Sequence, residues 1–316
     1  MQLDIHMIYG ATGSTKTSRL GDAAEYYYER SGGKKVRGVF TDTGGFESIR
    51  SLVEGGVIEP YIVTGREGER LIETLDKLSR GWWPNAAGKL EPPQLEEVSA
   101  YIVDGLTTQC AMMMTYHESS VTYNAQTGTI NSTTVRAPEM PKDSYVRSGD
   151  YVRRFTGRSD YGAVQGRIAE FIRNYGMLGV PVWSSALDTK GTDDTSKKPI
   201  YGPDFIGQAF TGKCGPLFGH LLHLSLVPVQ KDEKVGGQAF RVIQAQPYLF
   251  TRNHLDPDDP YKVPYMAKAR VDKRLWERMP AVMEPDLGKF LHLVEEVAKE
   301  AARTGESSAL HSASKM

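Results

Sequence analysis

Short β-rich runs alternate along this chain with stretches of helical periodicity, and that alternation restricts the fold more than any other feature. The runs are "LDIHMIYG" (3–10), "KVRGVFTDT" (35–43), "EPYIVTG" (59–65), "VSAYIVDGL" (98–106) and "VPVWSSAL" (180–187), followed by "HLLHLSLVPV" (220–229) and "QAFRVIQAQP" (238–247). Strands separated by helices cannot pair with their neighbours through tight turns, so the first five are expected as buried parallel strands of an α/β domain. The last two, joined by the polar "QKDEKVGG", read as an antiparallel hairpin. Helices are expected at 16–30, 66–79, 105–118 and 160–176. In the last of these Val164, Ile168, Phe171, Ile172 and Tyr175 form one apolar stripe. Leu287, Leu291, Val294, Val297 and Ala301 repeat the pattern near the end of the chain.

The expected architecture is therefore a mostly parallel central sheet with helices on both faces and a C-terminal antiparallel hairpin. Residues 1–291 form its core, with an insertion at about 119–158; residues 292–303 complete the last helix. The polar tail 304–316 is expected to be disordered. No internal repeat and no clean linker divides the 316 residues.

Composition narrows the function classes. The 38 basic and 39 acidic residues nearly cancel, so nucleic acid would have to be bound by a local patch and not by bulk charge. Two cysteines, Cys110 and Cys214, have no metal-site or disulfide spacing. The N-terminal sequence lacks signal-peptide character, and the most apolar stretch, "GPLFGHLLHLSLVPV", is too short to span a bilayer. A cytoplasmic protein with no membrane partner is the expectation.

The first strand runs into "GATGSTKT" and then a helix. A phosphate loop needs backbone N–H groups around a concavity, a lysine for the terminal phosphates and a hydroxyl for the metal. Gly10, Ala11, Thr12, Gly13, Ser14, Thr15, Lys16, Thr17 and Ser18 supply these in order, with one departure from G-x-x-x-x-G-K-[ST]: Thr15 stands where the second glycine belongs. The competing reading is a strand-turn-helix with an incidental lysine. A second motif weighs against it, the apolar strand "AYIVDGLTT" ending in Asp104. At the carboxyl edge of an α/β sheet a carboxylate there faces the phosphate loop, where it can share a magnesium ion with Thr17. The alternative role for Asp104 is a cap on the following helix.

The order of the phosphate loop, "VFTDTGG", "YIVDGLTT", "DYGAVQGRIAEFIRNYGMLGVPVWSSAL" and "YMAKARVDKRLWERMPAVMEPDLGKFL" resembles the RecA-like ATPases carried by bacteriophages, a group that includes single-strand annealing and recombination ATPases. The resemblance covers residues 3–291 without the insertion. It implies a RecA-like P-loop NTPase core, ATP with magnesium, the cytoplasm of a bacterial host, and a ring or filament with nucleotide at each subunit boundary. It makes Lys16 and Thr17 the phosphate and magnesium residues, Asp104 the second metal residue, and Ser184 or Ser185, with Ser185 preferred, the γ-phosphate sensor. Lys268 and Arg270 of "AKAR" correspond to a pair that enters the neighbouring subunit's site; by charge alone they also fit a solvated basic segment. The family's glutamate after the second strand is missing, which leaves Asp42 or Glu47 to orient the attacking water and makes slow hydrolysis compatible with the sequence.

Two aperiodic stretches, 119–158 and 188–204, fall where the family's DNA-contacting loops emerge. "SYVRSGDYVRRFTGR" interleaves Tyr145, Tyr151 and Phe155 with Arg147, Arg153 and Arg154, and the second stretch carries Lys190, Lys197, Lys198 and Tyr201. Cations for the backbone and aromatic faces for bases are what single-strand binding requires, although solvated loops share this composition. The expected function is an ATPase acting on single-stranded DNA in phage recombination or replication. The alternatives are a translocating or assembly motor ATPase, and a slow-hydrolysing nucleotide-binding structural or regulatory protein.

Overall fold

The computed structural model describes residues 4–41, 44–65, 70–119, 121–124, 129–132, 145–148, 151–154, 158–193, 196–206, 208–235, 238–255, 263–271 and 277–303; 121–154 and 230–244 are described by backbone alone. Five strands match the first five apolar runs: β1 (Ile5–Tyr9), β2 (Lys35–Phe40), β3 (Ile58–Ile62), β4 (Val98–Asp104) and β5 (Val182–Ala186). β6 (Asp188–Thr192), β7 (Pro199–Pro203), β8 (Leu221–Val235), β9 (Gln238–Phe250), β10 (Arg252–Leu255), β11 (Pro264–Lys268) and β12 (Val282–Met283) complete a 12-stranded sheet. Its order is β6-β7-β11-β8-β1-β5-β4-β2-β3, with β9 on β8, β12 on β9 and β10 on β11. The block β8-β1-β5-β4-β2-β3 is parallel throughout.

Alternation along the strands sorts the apolar residues onto two faces. Met7, Tyr9, Tyr101, Val103 and Val182 point to one side, where α2 (Leu71–Ser79), α3 (Leu106–Ser119) and α4 (Arg158–Gly176) cover them. Ile8, Ala100, Ile102 and Trp183 point to the other, against α1 (Lys16–Arg30) and α5 (Leu287–Arg303). The stripe predicted for α4 is in place: Val164, Ile168, Phe171, Ile172 and Tyr175 are all buried. α1 stops where Gly32 and Gly33 take positive φ (72° and 93°) and the Gly33 N–H returns to the Tyr28 carbonyl, a glycine-dependent helix end. α5 lies on α1 through its apolar face, and Glu295 joins the Tyr26 hydroxyl and Arg30.

Where the structure departs from the sequence reading, strand pairing is the reason. β8 is both a strand of the parallel block, through Met7↔Leu221 to Tyr9↔His223, and the first strand of the expected hairpin. The polar segment read as the connection is itself strand as far as Val235, because the register with β9 continues to Val235↔Gln238. Pro228 and Pro247 lie on opposite strands of this arm, and a residue without an N–H is tolerated only where the ladder has no need of it, so each guards an outer edge against further strand addition. The aperiodic stretch 188–204 is likewise a hairpin, β6–β7, paired from Asp188↔Pro203 to Thr192↔Pro199. Within 119–158 the described backbone forms the hairpins Val121–Asn124 with Thr129–Ser132 and Tyr145–Ser148 with Tyr151–Arg154. β3 is not buried as expected, since it is the outermost strand. Among the described residues no helix is long and apolar enough to cross a membrane.

The α1–α5 contact carries a titration. Asp22 on α1 accepts from the Leu287 N–H (3.3 Å) and faces Arg19 (3.0 Å). Burial nevertheless raises its carboxyl to about 6, against the opposing pull of Arg19 and the Leu287 N–H. A raised folded-state pKa means that the native protein holds this proton longer than the unfolded chain. Its contribution is complete below about pH 4, the ordinary carboxylate range, and is lost as pH rises through about 6. Urea midpoints of the wild type relative to Asp22→Asn should fall between pH 4 and 6.5; parallel profiles would remove Asp22 as the titrating group.

Candidate functional site

The register of the parallel block decides what meets at its carboxyl edge. Tyr9 pairs with Ala186 across β1–β5, and Ser184 pairs with Val103 across β5–β4, so the exits of these three strands stand side by side with β5 in the middle. In an open α/β sheet this edge is where ligands bind. Gly10 leaves β1 so close to β8 that a Cβ there would lie 2.1 Å from the Leu224 carbonyl oxygen, which explains a glycine at that position. Gly13 turns the loop with φ 79°. Thr15, at the start of α1, has φ 66° and ψ 23°, the left-handed conformation that side-chain-bearing residues resist. The loop thus keeps the backbone path for which the sequence motif calls for glycine, with a threonine bearing the strain.

Lys16 follows, and its ammonium donates to the Gly10 carbonyl (2.9 Å), the Ala11 carbonyl (2.7 Å) and the Ser14 hydroxyl (3.4 Å). The Thr17 hydroxyl donates to Asp104 Oδ2 (2.8 Å), and Ser185 donates to Asp104 Oδ1 while accepting from the Gly105 N–H (2.9 Å). Asp104 and Ser185 are buried, at 3% and 1% exposure, so the carboxylate depends on these two hydroxyls. Ser184 points elsewhere, into a hydrogen bond with the His6 carbonyl (2.9 Å), which leaves Ser185 as the serine of this edge that faces the cleft.

The cleft over these groups has a volume of about 510 Å³ and is lined by Thr12, Gly13, Thr15, Lys16, Thr17 and Ser18 from the loop. Asp104, Gly105, Thr107 and Thr108 line it from β4 and α3, and Ser185 from β5. Its donor set suits a hard divalent cation: a hydroxyl and a carboxylate oxygen already 2.8 Å apart, beside a cationic loop that would receive phosphate. Among the described residues no group of three or more His, Cys, Asp and Glu could hold a metal, so a cation here would need further oxygens from a ligand or water.

Sequence reasoning missed two contributions. Gly44, Gly45 and Ser48 line the cleft, and Gly45 is so close to Thr17 that an added Cβ would fall 2.2 Å from its hydroxyl oxygen. The Gly-Gly pair after the second strand was the available signal. Thr107 and Thr108 belong to the cleft as well; their signal was the hydroxyl pair directly after "DGL".

Other expected residues are not brought to the cleft. Glu47 is exposed and ion-paired with Arg50, and Asp42 lies outside the described residues. Lys268 pairs with Leu221, which itself pairs with Met7, and the Arg270 N–H donates to His220 Nδ1 (2.9 Å). Both cations therefore stand toward the amino end of β1, roughly 10–15 Å along the strand from Gly10 at 3.3 Å per residue. Burial, reinforced by Arg270, lowers the Lys268 pKa. Lys197 and Lys198 are exposed at the tip of the β6–β7 hairpin. Arg147, Arg153 and Arg154 are on the paired strands of the 145–154 hairpin, their side chains outside the described set.

The ground beneath the loop is neutral. Burial, with His254 and Lys16 adding to it, pushes His223 down to about 2, and its ring is hydrogen-bonded to His254 (2.7 Å). Burial also raises the Asp188 carboxyl, against the pull of Lys16.

No family model matches the chain, and neither does any curated protein sequence.

The strain at Thr15 gives a direct check. A left-handed residue with a side chain costs about 1–2 kcal/mol, and glycine's added freedom in the unfolded chain returns about 0.5–1 kcal/mol of that. Thr15→Gly should unfold at the same denaturant concentration as the wild type or higher, by up to about 1 kcal/mol. A clear loss of stability would mean that the threonine side chain stabilises the loop.

Proposed function

We propose that this chain binds ATP with magnesium and hydrolyses it as a RecA-like P-loop ATPase that acts on single-stranded DNA in phage recombination or replication. The observation that carries the reading is the meeting of Lys16, Thr17, Asp104 and Ser185 at one sheet edge, from three strands far apart in sequence, with Thr17 and Asp104 2.8 Å apart. A chance strand-turn-helix would not be expected to have a buried carboxylate and a hydroxyl sensor facing its lysine.

In this reading the backbone of 12–17 and the N-terminus of α1 receive phosphate oxygens. Lys16 turns from the Gly10 and Ala11 carbonyls to the terminal phosphates, exchanging neutral acceptors for charged ones. Thr17 and Asp104 would hold magnesium, which when bound offsets the charge on the phosphoryl oxygens. Ser185 is placed to direct its hydroxyl at the γ-phosphate. Lys268 and Arg270, too far from the cleft of their own chain, would act in a neighbouring copy, where inserted cations stabilise the spreading charge of the transition state. That requirement supports a ring or filament. Arg147, Arg153, Arg154, Lys197 and Lys198 would bind the DNA backbone.

One observation favours the second reading, a slow-hydrolysing nucleotide-binding protein: Glu47 is paired with Arg50 outside the cleft and does not stand ready to orient water. The two readings agree on ATP binding and differ in turnover.

Lys16→Ala should weaken ATP binding by tenfold or more, the effect of losing a charged phosphate contact of about 1.5–3 kcal/mol, as measured by calorimetry. Retained affinity would end the nucleotide assignment. Arg270→Ala should leave ATP affinity unchanged and lower hydrolysis by at least about a hundredfold, within the range of finger residues; unchanged turnover would remove Arg270 from the neighbouring site. Stimulation of wild-type hydrolysis by single-stranded DNA, compared with double-stranded DNA, separates the recombination reading from a translocating motor.

A further inference from the structure

The β6–β7 hairpin begins directly after the sensor strand, and its two ends are Leu187 and Asp204. They are fastened to each other by the Asp204 N–H on the Leu187 carbonyl (2.7 Å). They are also fastened by a single side chain from a different element. The hydroxyl of Thr107, in the first turn of α3, accepts from the Leu187 N–H (2.9 Å) and donates to the Asp204 carbonyl (2.8 Å). A hydroxyl has one proton to give, so Thr107 commits its donor to one end of the hairpin and an acceptor site to the other.

These contacts continue a ladder that starts in the cleft. Asp104 holds the Ser185 hydroxyl, the Gly105 N–H donates to the same oxygen (2.9 Å), and two residues further along each strand exit Thr107 holds Leu187. Thr107 and Leu187 are themselves cleft-lining residues. At the far end of the hairpin stand the exposed Lys190, Lys197 and Lys198, and Tyr201 stacks on Tyr265 with centroids 4.5 Å apart. A hairpin held at one end can pivot; held at both ends by one hydroxyl, it moves with the helix that carries that hydroxyl.

We infer that Thr107 is a positioning residue that couples the occupancy of the cleft to the β6–β7 hairpin, so that nucleotide changes the hairpin's affinity for single-stranded DNA. The inference rests on the nucleotide reading of the cleft and adds the route of communication. A ligand that draws the Ser185 hydroxyl or the Asp104 carboxylate into the cleft shifts the 185–187 segment against α3. Thr107 passes that shift to both ends of the hairpin together.

The test measures binding of a labelled oligo-dT with and without magnesium and a non-hydrolysable ATP analogue, in the wild type, Thr107→Val and Thr107→Ser. Nucleotide should change wild-type DNA affinity by about tenfold, an ordinary coupling strength. Thr107→Val keeps the shape without the hydroxyl: it should bind the analogue and, separately, the DNA as the wild type does, with the effect of one on the other reduced to about twofold or less. Thr107→Ser should restore the coupling. Full coupling in Thr107→Val, loss in both variants, or a wild type that binds both ligands independently would each overturn the inference while leaving the nucleotide site in place. A wild type that binds no analogue would end both. Should Thr107→Val fail to fold, hydrogen exchange of wild-type residues 187–204 decides: altered protection on analogue binding supports the coupling, and unchanged protection overturns it.

Discussion

Asp104 is the group on which the site depends. It ends a buried strand, and a carboxylate at 3% exposure would be strongly destabilising without partners. Thr17 and Ser185 provide them, one from the helix after β1 and one from β5. Those two hydrogen bonds require β5 to lie between β1 and β4, with its exit level with theirs. The parallel order and register supply that arrangement, with Ser184↔Val103 on one side of β5 and Tyr9↔Ala186 on the other. Removing either hydroxyl would leave a lone pair of a buried charge unmatched, so the same contacts that prepare a cation site also stabilise the edge.

The sheet divides its labour along the strand direction. At the carboxyl end stand the strained loop at Thr15, Lys16 and the cleft; at the amino end stand Lys268 and Arg270, beside a buried cluster in which His220 stacks on Trp183. Burial, with His6 and the two cations adding to it, holds His220 well below its ordinary pKa, so the imidazole that accepts the Arg270 N–H is neutral. Separation of cleft and cations within one chain is what a subunit-bridging site requires.

Much of the core was legible because burial on both faces forces a recognisable pattern. The first five apolar runs became the parallel strands, and the stripe through Val164, Ile168, Phe171, Ile172 and Tyr175 became a buried helix face. The illegible parts share a cause. The β6–β7 hairpin and the far half of β8–β9 are held chiefly by backbone ladders and have little buried side-chain surface, so their polar residues read as loop. Gly45 could not be placed against Thr17 from sequence, because their contact depends on how the segment after β2 folds over α1. The same holds for Thr107, whose partners Leu187 and Asp204 are distant in the chain.

By itself the sequence determined the α/β class, the phosphate loop and the carboxylate at the end of a buried strand, since local periodicity and motif spacing need no partner from elsewhere in the chain. Tertiary structure alone decided that Thr15 takes the left-handed conformation, that Ser185 and not Ser184 faces Asp104, and that Lys268 and Arg270 stand away from the cleft of their own chain. Those outcomes are set by strand order and register, which arise from pairing between segments far apart in sequence and so are written in no single stretch of it.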